Sequence, residues 1–218
     1  MEISKKARLT YTHSRGHGEK IRIMLCVAEI PFEERPLRER KDFLEIRDDL
    51  PYAHVPALEI NGLIMTHSNA IMRYLAAKYS MYGSCPEEQI RIDMLFDATR
   101  DWYVNLMFFG YNMTQEESLA KAKIDMEKYC PIFEMDLQNN KTGFLVGNTI
   151  TMADVGFFEI VISLEEHFGL ASLERFPNIL AFLTRMKSDR RIKNYLKNHR
   201  FPILTAEKIQ EIKRVFNW

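Results

Sequence analysis

Three short stretches in the first third of the chain carry residue types that could recognise and activate a small polar ligand. Tyr11 lies in a β-prone run over residues 8–12 and is followed by Arg15-Gly16-His17-Gly18. A phenol at the C-terminal end of a strand, beside a helix opened by glycine, is a hydrogen-bond donor at the crevice where open α/β sheets take ligands. An ordinary strand aromatic is the plain alternative. His54-Val55-Pro56 enters a later strand. There an X-Pro bond in the cis form would leave the Val55 amide and carbonyl to pair with a bound peptide, and an edge-strand proline is the alternative. His67-Ser68 opens a helix. The orphan N–H groups and positive dipole end of such a helix suit a carboxylate as well as they suit a simple N-cap.

Other motifs point away from familiar chemistries. Gly16-His17-Gly18 imitates a dinucleotide loop, but Ile21 stands where the third glycine belongs, and no P-loop lysine follows. His13 and His17 share a turn without a Glu-x-x-His partner, so no metal site is read there. Cys26, Cys85 and Cys130 are odd in number and widely spaced, against a disulfide framework or a zinc site. Between the first strand and first helix stands Tyr11-Thr12-His13-Ser14 rather than a Cys-x-x-Cys, so thiol chemistry by the protein's own sulfur is not indicated.

The elements that must position these residues follow from periodicity. A strand over 8–12 leads to a helix over 19–29, where Ile21, Met24, Leu25 and Ala28 recur at helical spacing. A strand over 32–37 and a polar helix over 40–49 come next. Strands over 55–60 and 63–66 flank Asn61-Gly62, a strong signal for a tight hairpin. Ser68 reads as the N-cap of a helix over 69–79. The sum is βαβαββα. After the linker Tyr82-Gly83-Ser84-Cys85-Pro86, helical spacing dominates, with helices over 87–112, 114–140, 179–187, 191–198 and 206–216. Thr151 and Asp154 form a capping-box start for the apolar run over 155–164, which belongs inside a bundle. Two domains are expected, at 1–83 and 87–218.

At 218 residues, 46% apolar and 28% charged, the chain has core enough for that division. Thirty Lys plus Arg balance thirty Asp plus Glu, so no global field recruits nucleic acid or an anionic membrane. The start MEISKKARL has no apolar h-region and no stretch is long enough to span a membrane, so the expected location is the cytoplasm.

In order and spacing these motifs resemble the cytosolic glutathione transferases, nearest the alpha class with sigma as a close relative, over almost the whole chain. Leu9-Thr10-Tyr11 before Arg15-Gly16, Val55-Pro56, His67-Ser68, Lys78-Tyr79 through Gly83, Gly147-Asn148 through Asp154, and Phe176-Pro177 carry the resemblance, with the tail from Glu211 to Trp218. It implies a thioredoxin-like βαβαββα domain followed by an all-helical domain. It also implies a detoxifying homodimer that uses glutathione as co-substrate and needs no metal. Tyr11 would hydrogen-bond the glutathione sulfur. Val55, preceding Pro56, would pair with the cysteinyl backbone, and His67 and Ser68 would hold the γ-glutamyl carboxylate. Arg47 and His54 would lie toward the glycyl end, His17 would help stabilise the thiolate, and Asp101 and Lys128 would reach over from the other subunit. Thr12, Met107, Phe108, Ile212, Phe216 and Trp218 would line the pocket of a hydrophobic electrophile. Tyr52 would be the knob of the dimer interface, with Met94 and Phe133 in its socket.

The chain departs from that family in one direction. Alpha enzymes carry arginine where His17 stands and glutamine where His54 and His67 stand, so three ligand-facing positions here change charge near neutral pH. The leading expectation is conjugation of glutathione to hydrophobic electrophiles. A ligandin-type carrier of haem or other bulky apolar molecules, and a glutathione-dependent lipid isomerase or peroxidase, use the same fold.

Overall fold

A computed structural model describes residues 6–107, 114–201 and 203–217. The chain forms two compact units, one of the described residues up to Leu75 with those from Asn194 onward, the other of Ala76–Lys193.

In the first unit, β1 (Ala7–Thr12) is followed by α1 (Glu19–Val27) and β2 (Phe32–Leu37). A short α2 (Arg40–Leu44), then β3 (Ala57–Ile60) and β4 (Leu63–Thr66), come before α3 (Ser68–Lys78). The sheet order is β2-β1-β3-β4. β1 and β2 are parallel, as the α1 crossover between them requires, while β3 and β4 form an antiparallel hairpin. Asn61 and Gly62 both take positive φ, at 52° and 79°, which is what the hairpin turn demands. This is a thioredoxin-like arrangement. The helix expected over residues 40–49 shrinks to α2, followed by 3-10 turns at Arg47–Asp49 and Pro51–Ala53. A Glu39–Asp42 capping box starts α2, none of whose residues is buried, and the turns that follow carry Ile46 and Leu50 into the core.

The last helix, α9 (Ala206–Phe216), packs on α2 within this first unit. The side chain of Thr205 caps it by accepting the Lys208 N–H, and Ile209, Ile212 and Val215 form its buried face. Phe216 meets Phe43 edge-on at 5.2 Å. Val215 joins Leu37, Ile46, Leu50, Val55 and Ala57 in one apolar cluster, against which Tyr11, Phe43 and Phe216 pack. The division expected from sequence put this helix with the helical domain; its amphipathic stripe buries itself here instead.

The second unit holds α4 (Pro86–Met107), α5 (Gln115–Asn140), α6 (Met152–Phe168) and α7 (Pro177–Ser188). Helix α8 (Arg190–Asn198) follows. Every residue from Met152 to Leu164 is buried, as a helix apolar all round requires of its surroundings. Phe133 stacks on Phe157 at 4.2 Å, with Phe182 at 5.2 Å from Phe157 and Trp102 at 6.1 Å from Phe133. The start of α6 is closed by Asp154, whose carboxylate accepts the Leu145 and Thr151 amides and the Thr151 hydroxyl at 2.8, 2.8 and 2.6 Å. Burial pushes that carboxyl up to about 6 against the pull of those donors. Glu134 on α5 caps α7, accepting the Asn178 and Ile179 amides, each at 2.9 Å.

Candidate functional site

Tyr11 stands at the C-terminal end of β1, half-buried. Its ring lies along the 3-10 turn Gly16–Gly18, which runs directly into α1. A Cβ on Gly16 would fall 2.4 Å from the Tyr11 hydroxyl, and one on Gly18 would fall 2.7 Å from the ring. Gly16 also takes φ +43°, so both glycines are there to let backbone approach the phenol. The hydroxyl oxygen accepts the His17 amide at 3.0 Å. A phenol that accepts a hydrogen bond becomes a stronger donor through its own proton.

The loop between Tyr11 and that turn is pinned from α1. Arg22, 1% exposed, donates to the Ser14 and Arg15 carbonyls at 2.8 and 3.2 Å. The rest of its fork takes Glu34 at 2.6 and 3.2 Å, and its plane lies over Phe201 at 4.4 Å. Arg15 donates to the Phe201 carbonyl at 2.5 Å. Nothing in the periodicity of residues 19–29 marks Arg22 for burial, so sequence reading missed it. The available signal was a charged pair, Glu19 and Arg22, inside a short helix that has to lie on a sheet.

The Val55-Pro56 bond is cis. Val55 is 9% exposed and belongs to the cluster that Tyr11 packs against. The first i→i−4 bond of α3 runs from the Ile71 amide to the His67 carbonyl. Ser68 is therefore already the first helical residue, and the N-cap expected at Ser68 falls on His67, which takes φ 66°. Across from it, the ring of His54 stacks on that of His67 with centroids 4.6 Å apart and planes 18° from parallel. Both histidines are exposed overall, with one face of each ring covered by the stack. Partial burial, then the neighbouring His67, hold His54 below the usual histidine range. Asn69, next along α3, accepts from Lys20 at 2.8 Å.

Several expected positions fall elsewhere. Thr12 is 2% exposed and its hydroxyl is paired with Ser14 at 2.8 Å, so it packs inside instead of making a pocket mouth polar. Arg47 is turned onto Asp48 at 2.9 Å. Ile212 is buried and Phe216 half-buried on α9. Met107 is the last residue of α4, its side chain not described, and Phe108 and Trp218 lie outside the described residues. Asp101 and Lys128 are exposed on the helical unit, Lys128 over the ring of Tyr129 at 4.5 Å. Tyr52 is 86% exposed and Met94 67%. Phe133, expected in an interface socket, is 1% exposed because it fills the aromatic core; Ile132 and Met135 are the exposed apolar residues beside it.

Two of the three protein thiols are poor candidates for the chemistry: burial pushes Cys26 up to about 11 and Cys130 up to about 12. Among the described residues there is no group of three or more His, Cys, Asp or Glu able to hold a metal ion. No described helix is long and apolar enough to cross a membrane.

The chain is similar to known proteins over most of its length. Residues 13–85 match the family model described as glutathione S-transferase, N-terminal domain, and residues 98–199 match the glutathione S-transferase, C-terminal domain. The chain is 38% identical over 201 residues to glutathione S-transferase alpha-4 of Rattus norvegicus, covering 90% of this chain and 89% of the relative. It is 34% identical over 226 residues to a glutathione S-transferase of Gallus gallus, covering 99% of this chain and all of that one. Among solved structures, a glutathione S-transferase of the hookworm Necator americanus, described as monomeric, superposes with a TM-score of 0.82 at 25% identity. That match covers 92% of this chain and 100% of the hookworm one.

Proposed function

The chain belongs to the glutathione S-transferase family, and from that premise we propose how its residues carry the family's reaction, the transfer of the glutathione sulfur to an electrophile. The alpha-class relatives make it a transferase, with glutathione as co-substrate.

The observation that carries the assignment is Tyr11, held against Gly16 and Gly18 with its oxygen accepting the His17 amide at 3.0 Å. A free cysteine thiol titrates near 8.5, so at neutral pH only a few per cent is the reactive thiolate. Lowering that value by about two units takes about 2.7 kcal/mol of preferential stabilisation of the anion. The Tyr11 hydroxyl supplies part of it by donating to the sulfur, and the positive end of α1, which begins beside Gly18, supplies part. Tyr11 is a donor to the thiolate, not a base. Tripeptide placement falls to Val55 for the cysteinyl backbone and to His67 and Ser68, at the start of α3, for a carboxylate. Phe216, packed against the same cluster as Tyr11, is the apolar side chain that this arrangement offers a hydrophobic electrophile.

We assign the active form as a homodimer joined through the exposed Tyr52 and Met94, with Asp101 and Lys128 serving the partner's tripeptide, and its location as the cytoplasm. The decisive experiment is glutathione-dependent turnover on a panel of hydrophobic electrophiles, in the wild type and in Tyr11→Phe. Turnover that falls with the hydroxyl supports the reading; turnover indifferent to Tyr11 rejects it.

A further inference from the structure

His54 and His67 come from different turns yet stack face to face at 4.6 Å. Rings in face-to-face contact act as one electrostatic unit toward an anion that approaches either of them. Resting on the glutathione reading of this site, we propose that the stacked His54–His67 pair acts as one proton-accepting unit that recognises a tripeptide carboxylate and takes up a single proton when the ligand binds.

The geometry limits the pair to one charge. Two imidazolium rings stacked at 4.6 Å repel each other across their faces. Among the described residues neither ring is paired with a carboxylate that would offset a charge. Tyr52 meets His67 edge-on at 5.5 Å, and the Thr66 hydroxyl lies 3.1 Å from its Nδ1. The Pro51–Ala53 turn before His54 packs on the turn Arg47–Asp49 and on β4. Of the charged groups there, Arg47 is closed on Asp48 at 2.9 Å and Asp49 is exposed, while β4 carries no titratable side chain. From α1, the Lys20 ammonium reaches Asn69 at 2.8 Å. His54 is held below the usual 6.5, first by burial and then by His67, which keeps it neutral at pH 7 until an anion arrives. An incoming carboxylate supplies the missing counter-charge. The proton comes from solvent and rests on one imidazole, shared in effect by the stack. Glutamines at both positions would offer fixed dipoles and no proton linkage.

The test uses S-methylglutathione, which has no thiol proton to release on binding. Calorimetric titration near pH 7 in buffers of different ionisation heat reads the protons taken up. The wild type is expected to take up as much as one proton, with affinity weakening by up to about tenfold per pH unit between about pH 6.5 and 8. Either single variant, His54→Gln or His67→Gln, should keep proton uptake, since one ring suffices. The double variant, folded by circular dichroism, should bind with no uptake from this pair and a flatter pH profile. Equal uptake and slope in wild type and double variant would overturn the inference while leaving the glutathione site standing, and so would uptake approaching two protons. No binding by the wild type at any pH would instead overturn the glutathione reading beneath it.

Discussion

The role proposed for Tyr11 depends on close placement of its hydroxyl. Removing only its hydroxyl, in Tyr11→Phe, takes away one charge-assisted hydrogen bond, which is worth about 1.5–3 kcal/mol. The expected result is a ten- to hundredfold lower kcat/KM, with the pH–rate profile displaced upward as the thiol of bound glutathione loses its donor. Gly18→Ala keeps the hydroxyl but shifts the ring that carries it, because the new Cβ would meet the ring at 2.7 Å. A misplacement of about 1 Å costs up to about a hundredfold in rate. Steady-state kinetics should show the loss without a matching loss of fold. His54 makes a prediction about stability rather than rate. Its folded-state pKa is lowered, so below the ordinary 6.5 the unfolded chain binds more protons than the folded one. Stability is therefore lost as pH falls from 6.5 toward the folded value, and His54→Gln should show a flatter acid limb in urea titrations compared at about pH 8 and about pH 5.5. The Tyr11, His54, Val55-Pro56 and His67 positions were all legible as residue types. The stack of two of them was not, since residues thirteen apart in sequence carry no local sign of meeting.

Elements were read well where local chemistry decides them and poorly where it does not. The Thr151–Asp154 start of α6 and the Asn61-Gly62 hairpin are both where the residues put them, because a cap and a tight turn are satisfied within a few residues. Asp154→Ala leaves the buried Leu145 and Thr151 amides without their acceptor. A loss of about 3 kcal/mol is expected, read as a lower urea midpoint at unchanged slope. Helix α5 runs from Gln115 to Asn140 straight through Pro131, against local preference. Packing against α4 and α7, with Glu134 capping α7, holds it. The start of α3 came out one residue off because backbone closure on the His67 carbonyl, not side-chain type, fixed the boundary.

For the whole molecule, the exposed Tyr52 and Met94 are the residues on which a two-fold dimer would turn. Symmetry repeats each contact, so losing about 2 kcal/mol per Tyr52 weakens association by about 4 kcal/mol, or roughly a thousandfold. Tyr52→Ala should sediment as a monomer at concentrations where the wild type is a dimer. A wild type that is itself monomeric, as the hookworm relative is described, would remove Asp101 and Lys128 from the glutathione site. Sequence by itself determined the order of elements, the predominance of helix among the described residues after Pro86 and the place of Tyr11 at the end of β1, because hydrophobic period, caps and turns are properties of neighbours along the chain. Tertiary structure alone decided that α9 joins the unit of the sheet and that Phe133 is core. It also decided that Arg22 is buried to hold the Tyr11 loop and that two histidines share one face. Burial and contact depend on what the rest of the chain brings alongside a residue, and for these residues that partner lies far away in sequence.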